Sequence, residues 1–296
     1  MTHHPLRRLT LALAISTLLA GPLQAQENPP RILAALPVTY GLGAALLDGS
    51  DVQLQRAAPA NLPASRQIAY FSGRGASSLE KAASQAVAVI ALRSLWPDDP
   101  LYPLARRSNI RIVEIDGARP VDGALPGIAL QAEGEDALAE QPWLNINNLG
   151  RMADVIAADL ARLAPTAKPR VEANLAALKQ RLLKLSADSE ARLAQADNLT
   201  VASLSPHLDY LIGGLNLDLV ELSADGQWTA ETLADLSASL RENDVAAVLA
   251  QRQPSAELAK AIEDGGSRLV LIEDDQEDPV AGLEAAIGQV LDALSS

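Results

Sequence analysis

Cysteine is absent from the 296 residues, and histidine occurs only three times. The first absence excludes disulfides, thiolate metal sites, cysteine nucleophiles and lipid attachment through an N-terminal cysteine. The second leaves few side chains of the kind that transition metals prefer. Cations are also outnumbered, 24 Lys and Arg standing against 37 Asp and Glu for a net charge of -13. A phosphate backbone needs clustered positive charge, so nucleic acid is excluded as a partner. No nucleophile elbow, metalloprotease helix or P-loop occurs, and no enzyme activity is expected. The acidic run EDDQED at 273–278 reads as a solvated loop rather than a catalytic carboxylate pair.

What is present is apolar: 48% of residues are hydrophobic and 21% charged, enough to bury one large or two medium domains. At the N-terminus, Arg7 and Arg8 precede the apolar run Leu9 to Leu19, and small residues lead to a cleavage point after Ala25. This pattern reads as a secretory signal peptide, the run being short of the roughly 20 residues that span a membrane. Cleavage removes two positive charges and no acid, taking -13 to -15. It also removes His3 and His4, which leaves His207 as the only histidine.

From Arg31 onward, short β-rich apolar runs alternate with helical ones, the pattern of parallel sheets with crossover helices. RILAALPV, DVQLQRA, AVAVIAL and IRIVEID read as strands, with helices at VTYGLGAALLDG, SSLEKAASQ and LYPLARRSN. APANLPASRQ reads as a loop, and FSGRGASS as a plain turn before an anion cradle around Arg74. A second such unit follows Asn198, with strands LTVASLS, LDLVEL, VAAVLAQ and RLVLIED. Its helices are HLDYLIGGL, TAETLADLSASLREN, PSAELAKAIEDGG and the closing PVAGLEAAIGQVLDALSS. In PSAELAKAIEDGG, Pro254 opens the helix and Gly265 and Gly266 follow its end, the usual asymmetry of helix termini.

The predicted organisation is a leader over 1–25, an N-terminal α/β lobe over 26–147, a helical region over 148–196 and a C-terminal α/β lobe over 197–296. Within the helical region Val171, Leu175, Leu178, Leu182 and Leu185 recur at steps of four and three, one apolar face of an α-helix. A helix from Pro169 to Ala194 would be roughly 39 Å long and would brace both lobes. The pattern fades at Ser189, short of the heptads that a coiled coil needs.

An exported α/β lobe, a long connecting helix and a second α/β lobe resemble the periplasmic solute-binding proteins of zinc and manganese ABC importers. LEKAASQAVAVIALRSLWPDDPLYPLARRSNIRIVEID resembles one stretch of that family, and QPWLNINNLGRMADVIAADLARLAP resembles its His-x-Trp-Leu-Asp segment. PRVEANLAALKQRLLKLSADSEARLA is similar to its rigid backbone helix. The resemblance covers nearly all of the mature chain. It implies two α/β lobes with mainly parallel sheets, a periplasmic location, an inner-membrane ABC permease as partner and a monomeric protein.

The family's cation ligands, carried over one at a time, are largely replaced. Ala64 stands near the first histidine, Gln141 at the second and Ser205 at the third, with His207 two residues on. The two carboxylate positions fall at Gln251 and Glu273. The family's histidine-rich acidic loop is missing as well, since APANLPASRQ holds neither residue type. A zinc or manganese site needs about four N, O or S donors at roughly 2.0–2.3 Å; the aligned positions do not support one, and no cofactor is expected. Gln141, His207, Gln251 and Glu273 are the candidate solute-binding groups of the interlobe cleft.

Two readings stay open. In the first, neutral donor–acceptor amides hold a metal complex or other small solute; in the second, the site has decayed and the scaffold serves as an accessory or interaction protein. A cavity with convergent polar groups favours the first, and a closed apolar seam the second. His207 reads first as a helix-start residue and second as a surviving ligand. Trp143 and Trp96 read first as packing residues near the cleft and second as stacking surfaces, and Asn145 as the N-cap of the next helix.

Overall fold

The computed structural model describes residues 29–120, 125–130, 138–222, 228–272 and 277–295. The leader read over 1–25 and the candidate Glu273 lie outside the described residues.

Two four-stranded parallel sheets organise the chain. The first contains β1 (Arg31–Ala34), β2 (Gln53–Arg56), β3 (Ala86–Ala91) and β4 (Val113–Asp116), in the order β2-β1-β3-β4. The second contains β5 (Thr200–Ser203), β6 (Asp218–Val220), β7 (Ala247–Ala250) and β8 (Arg268–Leu271), in the equivalent order β6-β5-β7-β8. Every strand pair is parallel, so crossover helices cover the sheet faces and the central strands read as unbroken apolar runs.

The crossovers of the first lobe are α1 (Pro37–Leu47), α2 (Ala64–Ser72), α3 (Ala76–Ala83) and α4 (Leu101–Ser108). The first strand stops sooner than its apolar run suggests, because Pro37 stands at a helix start with its φ already set for helix. Gly49, at φ 67°, makes the left-handed turn after α1. The stretch read as a loop, APANLPASRQ, turns helical at Ala64. Of α2 only Gln67 and Phe71 are buried, an i, i+4 pair too sparse to show as periodicity. The Gly73–Gly75 segment is the turn between α2 and α3, and Arg74 lies over the Tyr70 ring, 5.4 Å from its centroid.

The helical region is α5 (Ile146–Leu163) and α6 (Lys168–Leu193), broken at Pro165 where expected. Asn145 caps α5, its side chain accepting from the N–H groups of Asn147 at 2.9 Å and Asn148 at 3.2 Å. Val171, Leu178 and Leu182 of α6 are buried as predicted, each contributing about 1.5–3 kcal/mol. Asn174 on α6 donates to the carbonyls of Leu46 and Asp48, satisfying the end of α1.

In the second lobe, α7 (Asp209–Gly214), α8 (Ala230–Glu242), α9 (Ala256–Asp264) and α10 (Pro279–Leu294) surround the sheet. Ser255 caps α9, and Asp278, from the acidic run, caps α10. From α6, Arg181 reaches Glu284 on α10 through two bonds of 2.6 and 2.5 Å, so one helix holds an element of each lobe.

Strand alternation sorts the core into three parts. Ile32 and Ala34 of β1, Val201 of β5 and Leu249 of β7 share one cluster with Met152, Ile156, Leu178 and Ile287. Leu33 and Val89 face the opposite side with Phe71 and Leu101. Ala202 and Val248 do likewise with Leu240 and Ile262. No helix among the described residues is long and apolar enough to cross a membrane.

Candidate functional site

In open parallel sheets, ligands bind beyond the carboxyl ends of the strands, where strand order reverses. Both sheets turn these ends toward the space between the lobes. After β1 come Leu36, Pro37 and Val38; after β2, the segment Ala60 to Ser65; after β3, Trp96. With Leu138, Gln141, Trp143 and, from the second lobe, Glu277, they line a cavity of about 700 Å³.

Gln141 holds a left-handed backbone, φ 50° and ψ 58°, immediately before the turn Pro142–Leu144. This conformation costs about 1–2 kcal/mol for a residue with a Cβ. Three bonds hold it: Gln141 N–H to the Leu138 carbonyl at 3.2 Å, Leu144 N–H to the Gln141 carbonyl at 2.9 Å, and Asn148 Nδ2 to the Pro142 carbonyl at 3.1 Å. Asn148 is itself buried and paired at both amide atoms with Ala129.

The second lobe reaches Gln141 through a chain of hydrogen bonds. Ser205, following β5, donates from Oγ to Gln251 Oε1 at 3.1 Å, and Gln251 Nε2 donates to Gln141 Oε1 at 3.0 Å. Gln251 follows β7 directly. The structure thus joins two of the candidate residues, Gln141 and Gln251, and adds Ser205 to them. Gln141 Nε2 remains a donor with no hydrogen bond among the described residues.

His207 lies in the short turn Pro206–Leu208, its N–H donating to Ser205 Oγ at 3.3 Å. Its Nδ1 is buried with no partner among the described residues. Beside it, the Asp209 carboxyl is pushed up by burial and by the Glu221 and Glu140 charges, and drawn down by His207. His207 is one bond from Ser205, two from the glutamine pair, and does not line the cavity. Ala64 lines it and brings no donor. Among the described residues no group of three or more His, Cys, Asp or Glu side chains is placed to hold a metal ion.

A second link between the lobes escaped the sequence reading. Arg56, at the end of β2, donates to Glu277 at 3.1 Å and lies over the Tyr40 ring, 3.8 Å from its centroid. The Arg56 side chain is 18% exposed and that of Glu277 63%. The sequence signal was a lone cation at the carboxyl end of a strand.

Trp143 is 6% exposed, lines the cavity, and has a buried Nε1 with no acceptor among the described residues. A buried donor without a partner is unfavourable by about 1–3 kcal/mol.

Comparison with known proteins follows the architecture. Residues 81–285 match the family described as zinc-uptake complex component A periplasmic, which is more than half of the chain. No curated protein matches in sequence. Among solved structures, ZnuA superposes with a TM-score of 0.64 at 22% identity, over 90% of this chain and 100% of its own. A mutant of FpvC from Pseudomonas aeruginosa gives 0.66 at 20% identity, over 89% and 98%. A zinc-bound variant of AdcAII from Streptococcus pneumoniae gives 0.63 at 16%, over 90% and 99%. These likenesses establish the fold, and with the match over 81–285 the chain belongs to the periplasmic zinc-uptake component family, which consists of solute-binding proteins of metal importers rather than enzymes.

Proposed function

We propose that the chain is the periplasmic solute-binding component of a metal-type ABC importer whose cation site has been altered, and that it presents a small solute or a metal complex, in place of a bare ion, to an inner-membrane permease. One observation carries the reading: Gln141, Ser205 and Gln251, which the resemblance aligns with cation ligands, are hydrogen-bonded to one another across the lobes. Three neutral groups satisfying each other offer a divalent ion no charge and no imidazole, the features that zinc sites use. Beside them lies an open cavity with a polar end, which favours solute binding over the accessory-protein reading. The signal peptide, monomeric state and permease partnership belong to the same proposal.

Calorimetry on the mature protein with zinc and manganese tests the altered site. The expected result is no stoichiometric binding at submicromolar affinity, and a site of that strength for either metal overturns the reading.

A further inference from the structure

We infer that the cavity beside the glutamine bridge takes an uncharged organic molecule carrying a flat apolar portion and a carbonyl-type acceptor. The inference rests on the solute-binding reading above and names the class of solute.

Size is the first argument. A volume of about 700 Å³ falls within the range of small-molecule pockets, about 300–1,000 Å³, and far exceeds what one ion requires. The walls are the second. Leu36, Val38, Leu62 and Leu138 supply apolar surface, and the partly buried Trp96 adds to it. Such walls favour a flat apolar body over a hydrated ion.

Charge is the third argument. Among the described residues Glu277 is the one ionisable side chain of the lining, and Arg56 pairs with it at 3.1 Å. No Lys, Arg or His stands among the described lining residues, so an anion gains no counter-charge there and is disfavoured against its uncharged amide. The donors complete the case. Among the described residues Trp143 Nε1 is buried without an acceptor, and Gln141 Nε2 makes no hydrogen bond while its Oε1 accepts from Gln251. Both are N–H groups of residues that line the cavity, so a ligand that engages them must supply an acceptor. An uncharged carbonyl supplies one without bringing charge.

The test uses ligand-observed NMR on the mature protein with benzamide and nicotinamide, against benzoate and nicotinate, beside a zinc titration by calorimetry. The amides are expected to bind saturably and at least about fivefold more tightly than their carboxylates. Trp143→Phe keeps a ring and drops the N–H, and should weaken amide binding about three- to tenfold, the worth of one hydrogen bond. Ala64→Trp places an indole in the cavity and should abolish amide binding. Melting curves check that both variants fold. If Trp143→Phe does not, Ala64→Trp and the amide–carboxylate comparison decide. Equal or tighter carboxylate binding, amide binding unchanged in a folded variant, or no saturable binding by any of the four compounds overturns the inference. Submicromolar zinc binding would instead overturn the altered-site reading, whatever the amides do.

Discussion

Gly214, the last residue of α7, packs so closely on Asn145 that a Cβ there would lie 2.8 Å from Asn145 Nδ2. The amide cannot simply swing away, because its Oδ1 accepts the two N–H groups that open α5. The contact joins an element of the second lobe to the helix start beside Gln141. Gly214→Ala should therefore disrupt the cap and lower stability by about 1–2 kcal/mol. With Asn145→Ser, which keeps a capping oxygen and removes the amide nitrogen, the same alanine should be nearly neutral. Denaturant unfolding of the two single variants and the double variant measures this, and equal losses in both backgrounds would refute the contact.

Restoring ligand chemistry should restore metal binding. Gln141→His, Ser205→His and Gln251→Glu together place two imidazoles and a carboxylate where three neutral side chains now touch. Histidine is among the residues that tolerate the left-handed conformation of position 141. Calorimetry should show zinc binding at least about a hundredfold tighter than in the native protein. No gain would mean that the three positions do not mark a cation site.

Asp99 predicts a pH dependence. It is 2% exposed and lies just before α4, its carboxylate accepting the Leu101 N–H at 2.9 Å. Burial pushes its pKa from 3.8 to about 6, with Asp116 adding to the rise and bonds from Leu101 and Leu92 and the Arg93 charge opposing it. A raised carboxyl pKa means that folding favours the protonated form. Asp99 thus imposes no penalty below about pH 3.8, and its penalty grows to about 3 kcal/mol as pH rises through 6. Asp99→Asn keeps the accepting oxygen and removes the titration. The stability of the native protein relative to this variant should fall between pH 4 and 7, and parallel profiles would contradict the assignment.

The brace should tolerate proline poorly. Leu178 is 7% exposed near the middle of α6. Leu178→Pro removes a helix hydrogen bond at about 3 kcal/mol or more and empties a packed site besides. A fall in melting temperature of roughly 6 °C or more is expected. Melting within about two degrees of the native protein would show that α6 bears little load.

Elements were legible where one face repeats. The α6 stripe and the runs AVAVIAL and VAAVLAQ declared themselves, because burial on one or both faces leaves a period or an unbroken apolar stretch. Helix α2 did not, since its two buried side chains, Gln67 and Phe71, include a polar one. The site was half legible. Gln141 and Gln251 were found through segments resembling a family, and no pattern of their own marks them. Leu36, Leu62 and Trp96 were invisible as a group because they follow three different strands, and only the sheet order β2-β1-β3 gathers them. Arg56 and Glu277 pair across 221 positions, a separation that no local pattern records.

The cluster running from Ile32 and Leu42 through Met152 and Leu178 to Leu249 and Ile287 belongs to neither lobe alone. Pulling the lobes fully apart would expose its apolar surface to water, so wide opening and melting draw on the same reserve of burial. The protein should unfold in a single calorimetric transition. A molecule bound between the lobes would then raise the melting point of the entire chain, turning the thermal scan into an assay for the unidentified solute.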